Sequence, residues 1–199
     1  MILRHLSISL ILIAIFSGCQ SHPSGGTRRV EVVIETIEGD IIVELYGDKA
    51  PESVKAFLAV VDQDLYQRSS FYRVMNTDNQ ASNAPKAEFI QGGLWSRIKK
   101  RPTLPMVPHE STEQTGLTHQ AGTISFAREA PGTASSEFFI CVDDQPGLDF
   151  GGPNNPDGQG YAAFGKVIRG MDVVRKIYRK PENDQYFEPP ITIINIERN

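Results

Sequence analysis

Phe138 and Phe139 stand side by side at the head of a short apolar run, Phe138 to Cys141. Successive side chains on a strand point to opposite faces, so one ring enters a core and the other is offered to whatever lies beyond. The run has a partner in Thr123 to Ala127. Between the two lies a segment of small and turn-forming residues, 128–137, that includes Pro131 and Gly132. The composition predicts strand, exposed loop, strand. Small side chains let such a loop run close to the surface and leave room for a second chain beside it.

The rest of the chain has the same grain. Val30, Val32, Ile34 and Thr36 alternate with Glu31, Val33 and Glu35, the period of a half-buried strand. Glu38-Gly39-Asp40 supplies a turn and Ile41 to Tyr46 resumes the alternation, which predicts a hairpin. Pro51 fits a first helical turn. Val54, Phe57, Leu58 and Val61 then place one apolar stripe on a helix that plugs one end of the sheet. Ser70 to Met75, Phe89 to Gln91 and Ala162 to Val167 read as strands, and Met171 to Tyr178 as a second amphipathic helix. Ile191, Ile193 and, one register on, Ile194 and Ile196 form a closing strand. Segments 76–86 and 143–160 read as loops, and the stretch from Arg97 to Gly116, with Pro102, Pro105 and Pro108, sustains no long regular element. Many short strands, two helices and long loops predict an antiparallel barrel or sandwich in one domain, residues 29–199.

Three ordered blocks now carry a resemblance. Phe71-Tyr72-Arg73 is followed by Phe89-Ile90-Gln91-Gly92-Gly93, then by the stretch from Gly122 to Ile140, and then by Phe164-Gly165-Lys166-Val167 leading into Gly170-Met171. Together they resemble cyclophilin-type peptidyl-prolyl cis-trans isomerases. The resemblance implies a mainly β fold, a closed antiparallel eight-stranded barrel capped by two helices. It also implies isomerisation of prolyl bonds in extended, proline-containing polypeptides. By position, Arg73 matches the catalytic arginine and Gln91 the glutamine that orients it. Ala127 matches a groove residue whose main chain pairs with the peptide, and Phe139 and Leu148 match walls of the proline pocket. Read without the resemblance, Arg73 is a surface arginine on an edge strand, and ordinary core packing accounts for Phe139 and Leu148.

The departures from the family pattern are specific. Glu88 occupies the place of an aromatic, and Phe89, one position off, is expected to point to the other face of its strand. Gly147 replaces a bulky residue, which should weaken cyclosporin-like inhibitors. Tyr161 replaces a histidine and Arg128 an asparagine. Glu137 replaces a glutamine and is expected to pair with Arg73 or with Arg128. These changes keep open a second reading, a non-catalytic proline-peptide-binding or chaperone module on the same barrel.

Other signals are weaker. His109-Glu110 lacks the second histidine of a zinc-protease helix, and the four histidines read as solvated. Residues 154–158 read as a plain turn. Cys141 reads as a buried small apolar side chain, and Trp95 fits core, groove or surface alike. No Ser-His-Asp or Cys-His pattern supports a hydrolase. Prolyl isomerisation calls for neither cofactor nor metal. A formal net charge of -4 leaves no basic footprint for nucleic acid.

The N-terminus is a separate signal. Arg4 and His5 precede Leu6 to Phe16, an apolar run of signal-peptide length. It ends at Ser17-Gly18-Cys19, which resembles the lipobox of bacterial lipoproteins. Residues 1–18 are thus expected to be removed, Cys19 to be lipidated, and residues 19–28 to form a flexible tether. The expected location is the bacterial cell envelope, held at a membrane by that lipid. An ordinary secretory signal is the alternative.

Overall fold

The computed structural model describes residues 29–95 and 102–199, so the expected signal segment, Cys19 and the tether lie outside the described residues. The first alternating run forms β1 (Val30–Thr36), which pairs antiparallel with β2 (Gly39–Leu45). Val32, Ile34, Ile41, Val43 and Leu45 are fully buried, the inward half of the alternation. The strands that follow are β3 (Ser69–Met75), β4 (Phe89–Gly93), β5 (Thr123–Phe126), β6 (Phe138–Cys141) and β7 (Ala162–Arg169). A two-residue β8 (Glu182–Asn183) and a thirteen-residue β9 (Tyr186–Arg198) complete the set.

The sheet runs β1-β2-β7-β5-β6-β4-β3-β9, and β9 pairs back onto β1. Eight antiparallel strands therefore close on themselves, with β8 as an appendage on β9. Closure removes the open edges that would otherwise recruit further strands. The expected shift of phase in the last strand is a bulge, since Thr36 faces Ile193 while Glu35 faces Asn195. Ile194 is skipped and left 47% exposed, so it does not join Ile191, Ile193 and Ile196 in the core as the apolar pattern suggested.

The helix α1 (Pro51–Val61) buries Val54, Phe57, Leu58 and Val61, the stripe read from the sequence. Phe57 lies within 6.5 Å, centroid to centroid, of the rings of Tyr66, Phe126, Phe138 and Phe164. Each such ring removed from water contributes about 1.5–3 kcal/mol. The sequence reading missed α2 (Thr112–Thr115), a single turn with a capping box between Ser111 and Gln114. The helix α3 (Met171–Tyr178) sends Val174 and Ile177, both fully buried, into the same core. Among the described residues no helix is long and apolar enough to cross a membrane.

Candidate active site

Phe138 and Phe139 divide as their adjacency requires. Phe138 joins the main core, with its ring edge-on to Phe57, Tyr66 and Phe71. Phe139 belongs to a second, separate apolar cluster with Ala87, Phe89, Cys141 and Leu148. Met75, Ala127 and Tyr161, each partly exposed, pack around that cluster and form its rim.

Phe89 corrects the sequence reading. Its ring lies 4.7 Å from that of Phe139, inside the cluster from which it was expected to turn away. The cause is register: Gln91 faces Phe139 and Phe89 faces Cys141, so positions 89 and 91 share one side of β4. Glu88 takes the other direction and accepts a hydrogen bond from the Tyr178 hydroxyl of α3 at 2.5 Å. Burial and that carboxylate push the Tyr178 phenol upward.

A bulge aims Arg73. With strict alternation Phe71 and Arg73 would face the same side, and Phe71 is in the core. The register of β3 slips between Phe71 and Arg73 against both neighbours: Tyr72 is the extra residue opposite β4, while on β9 residues 187–190 lie between the partners of Phe71 and Arg73. The slip turns Arg73 out while Val74 returns to the core, and it places Met75 beside the guanidinium. Nη2 of Arg73 lies 3.3 Å from the Met75 sulfur, which links the charge to the rim of the apolar cluster.

Three hydrogen bonds to two side chains then fix the guanidinium. Nη1 donates to Gln91 Oε1 at 3.3 Å, while Nε and Nη2 donate to Gln185 Oε1 at 3.1 and 2.6 Å. Gln91 is itself held, because its Nε2 donates to the Tyr72 hydroxyl at 2.6 Å. Burial, and next the Glu137 carboxylate, hold the Tyr72 phenol well above its ordinary range, so that it stays neutral. Trp95 stacks between Tyr72 and Tyr186 and is 44% exposed, a surface position.

Arg73 and Arg128, the two expected partners of Glu137, both bond elsewhere. Glu137 Oε1 accepts from the Leu94 N–H at 3.0 Å and the Ser136 hydroxyl at 2.9 Å. A Cβ on Gly93 would collide with this carboxylate, so the second glycine of Gln-Gly-Gly is what admits it. Arg128 instead makes two bonds to Asp157, at 2.7 and 2.9 Å, and donates to the Gly160 carbonyl. Its guanidinium carbon lies 5.3 Å from the centre of the Tyr161 ring. Arg128 thus secures loop 143–160 and pulls the Asp157 carboxyl down to about 2, aided by the Gln159 N–H.

Leu148 is 2% exposed on a 3-10 turn (Pro146–Leu148) and lies in the cluster with Phe139. Tyr161 stands edge-on to Phe139 at 5.3 Å. Ala127 borders the cluster, and its N–H is already donated to the Glu137 carbonyl, so that group is not available to a peptide. At Gly147 the space a side chain would use is filled by the Asn154 amide, which reaches the Pro85 carbonyl at 3.1 Å. Cys141 is fully buried, and burial raises its thiol far above the reactive range.

His119 is a second correction. It is 1% exposed rather than solvated, and it joins Asp149 and Ser125 in a hydrogen-bonded set that no local pattern announces. Ser125 is fully buried, so this set is not a hydrolytic triad open to substrate. Among the described residues no group of three or more His, Cys, Asp or Glu is placed to hold a metal. A separate cavity of about 290 Å³, bordered by Arg29, Tyr46, Lys49, Thr118 and Lys166, shares no residue with this site.

A closed barrel of this order, with an arginine beside an apolar cluster on its outer face, defines a class of protein that rotates a peptide bond without cleaving it. The chain belongs to the cyclophilin type peptidyl-prolyl cis-trans isomerase family, whose model matches residues 30–198, and it is an isomerase of that type. It is 37% identical over 148 residues to peptidyl-prolyl cis-trans isomerase B of Escherichia coli (strain K12), which covers 73% of this chain and 82% of that one. Against a peptidyl-prolyl cis-trans isomerase of Acinetobacter baylyi it is 34% identical over 172 residues, 83% of this chain and 84% of the other. The crystal structure of a cyclophilin type isomerase from Cryptosporidium parvum superposes with a TM-score of 0.67 at 24% identity. It covers 86% of this chain and 98% of its own, a likeness of fold.

Proposed function

We propose that this isomerase is held at a bacterial membrane by a lipid on Cys19 and turns prolyl bonds in extended segments of exported proteins, with Arg73 acting on the bond. The observation that carries the catalytic part is the Arg73 guanidinium, fixed by Gln185 and Gln91 at the border of the cluster containing Phe89, Phe139 and Leu148.

The amide before proline rotates over a barrier of about 20 kcal/mol, set by conjugation of the nitrogen lone pair with the carbonyl. Unaided exchange takes on the order of tens of seconds. As the bond twists, the lone pair localises on nitrogen. A permanently charged, pre-oriented donor stabilises that state more than the planar one. The apolar cluster takes the ring, Gln91 aligns Arg73 and the peptide backbone, and no covalent bond is made or broken. Comparing wild type with Arg73→Ala on a proline peptide tests the role: a fall in kcat/KM of about 10²-fold or more is expected. Equal rates would remove Arg73 from the mechanism.

The support for the anchor is the order of residues 1–19: two basic groups, an apolar run, and Ser17-Gly18-Cys19. In a bacterial host, Cys19→Ser should move the protein from the membrane fraction to the soluble envelope fraction. An unchanged partition rejects the lipid.

A further inference from the structure

We propose that His119 is a positioning residue that sets two walls of the prolyl pocket at once, backing Phe139 and clasping the turn that carries Leu148. The inference rests on the reading that Phe139 and Leu148 are those walls.

His119 lies between α2 and β5 and is 1% exposed. Its ring is nearly parallel to that of Phe139, at 5.8 Å and 15°, and edge-on to Tyr161 at 6.4 Å and 80°. Phe139 therefore has Phe89 and Tyr161 as neighbours on the pocket side and the imidazole as a further support. The ring cannot spin to release that stack, because both nitrogens are engaged. Nδ1 lies 2.7 Å from Asp149 Oδ1 and Nε2 lies 3.1 Å from Ser125 Oγ. Ser125 is in turn the register partner of Phe139 across β5 and β6.

The main chain of the same residue holds the turn. The His119 N–H donates to Asp149 Oδ1 at 2.9 Å, and its carbonyl accepts from the Gln145 N–H at 2.6 Å. Gln145 and Asp149 flank Pro146–Leu148, so a single residue grips both ends of the turn bearing Leu148. Buried polar groups joined in this way fix one arrangement of the surrounding side chains. Removing the imidazole leaves a void behind Phe139 and takes away one of the two His119 groups that hold Asp149 Oδ1, and both changes loosen the pocket.

The test is a double-mutant cycle in the full chain, with kcat and KM measured on a proline peptide and the melting temperature measured alongside. His119→Ala should lower kcat/KM about tenfold in the wild-type background. In a Phe139→Ala background the same change should cost less than about twofold, since its target is already gone. His119→Asn supplies an amide N–H to Asp149 but no ring. It should recover the melting temperature while kcat/KM stays about threefold or more below wild type. Equal losses in both backgrounds, or wild-type kcat/KM in both His119 variants, overturn the proposal. Should His119→Ala fail to fold, the Asn variant decides by the same cycle. If Phe139→Ala keeps full activity while Arg73→Ala loses it, the pocket reading fails and this inference falls with it, a pattern unlike either His119 outcome.

Discussion

One oxygen of Gln185 accepts two bonds from Arg73, Nε at 3.1 Å and Nη2 at 2.6 Å, across 112 positions of sequence. Gln185 does this from a left-handed backbone, with φ of 75° following 50° at Asp184, in the tight turn between β8 and β9. Neither residue is glycine, so the turn carries a steric cost of about 1–2 kcal/mol per residue. The turn is held by the Gln185 N–H on Glu182, its Nε2 on the Asn79 carbonyl, and its carbonyl on the Val74 N–H.

Gln185→Asn tests this support without further backbone strain, because asparagine tolerates the left-handed region but is one methylene short. The expected result is a fall in kcat/KM of about tenfold with kcat carrying most of the loss, since the donor is misaimed rather than removed. The melting temperature should fall only modestly, since the Gln185 N–H and carbonyl still hold the turn. An unaltered kcat would show that Gln91 alone suffices to aim Arg73.

Arg73→Lys keeps the charge and removes the planar fork that meets Gln185 and Gln91 together. The expected loss is about 10²-fold in kcat/KM, close to that of Arg73→Ala, because orientation rather than charge is what the two amides provide. Activity near wild type would make the site a simple point charge.

Phe138→Ala separates the two faces of β6. Its ring fills the main core against Phe57, Tyr66 and Phe71, so truncation should cost about 3–5 kcal/mol in urea unfolding. A cost below about 1 kcal/mol would mean that the barrel interior re-forms around the gap.

Asp157 gives a pH signature. Its folded carboxyl is held near 2 by Arg128, while the ordinary value is about 4. A depressed folded value stabilises above the unfolded value and is lost as pH falls through the folded one. The gap in melting temperature between wild type and Asp157→Asn should therefore be constant above about pH 4 and should close toward pH 2. A gap that persists at pH 2 would trace the effect to shape rather than charge.

The strands and the two long helices were readable because each buries one face, and burial imposes a period that apolar residues reveal. Val32, Ile34, Phe57 and Val61 all lie where their spacing put them. Closure was not readable from periodicity, since no local pattern records that β9 returns to β1; it came from the resemblance. Register is equally silent. The bulge at Tyr72 that turns Arg73 outward, and the pairing that brings Phe89 back beside Phe139, depend on partners far along the chain. His119 and Gln185 lie in polar stretches that look solvated until the fold wraps them. The turn α2 did leave a sign, the Ser111 to Gln114 spacing of a capping box.

The length of β9 has a consequence for how such a protein is mounted. Its first residue, Tyr186, faces Arg73, and its last, Arg198, faces Val32 near the start of β1. About 40 Å of strand contour separates them. Arg29, three residues before Val32, therefore lies toward the end of β9 remote from Arg73, so an attachment made at Arg29 would leave the face that carries the guanidinium uncovered.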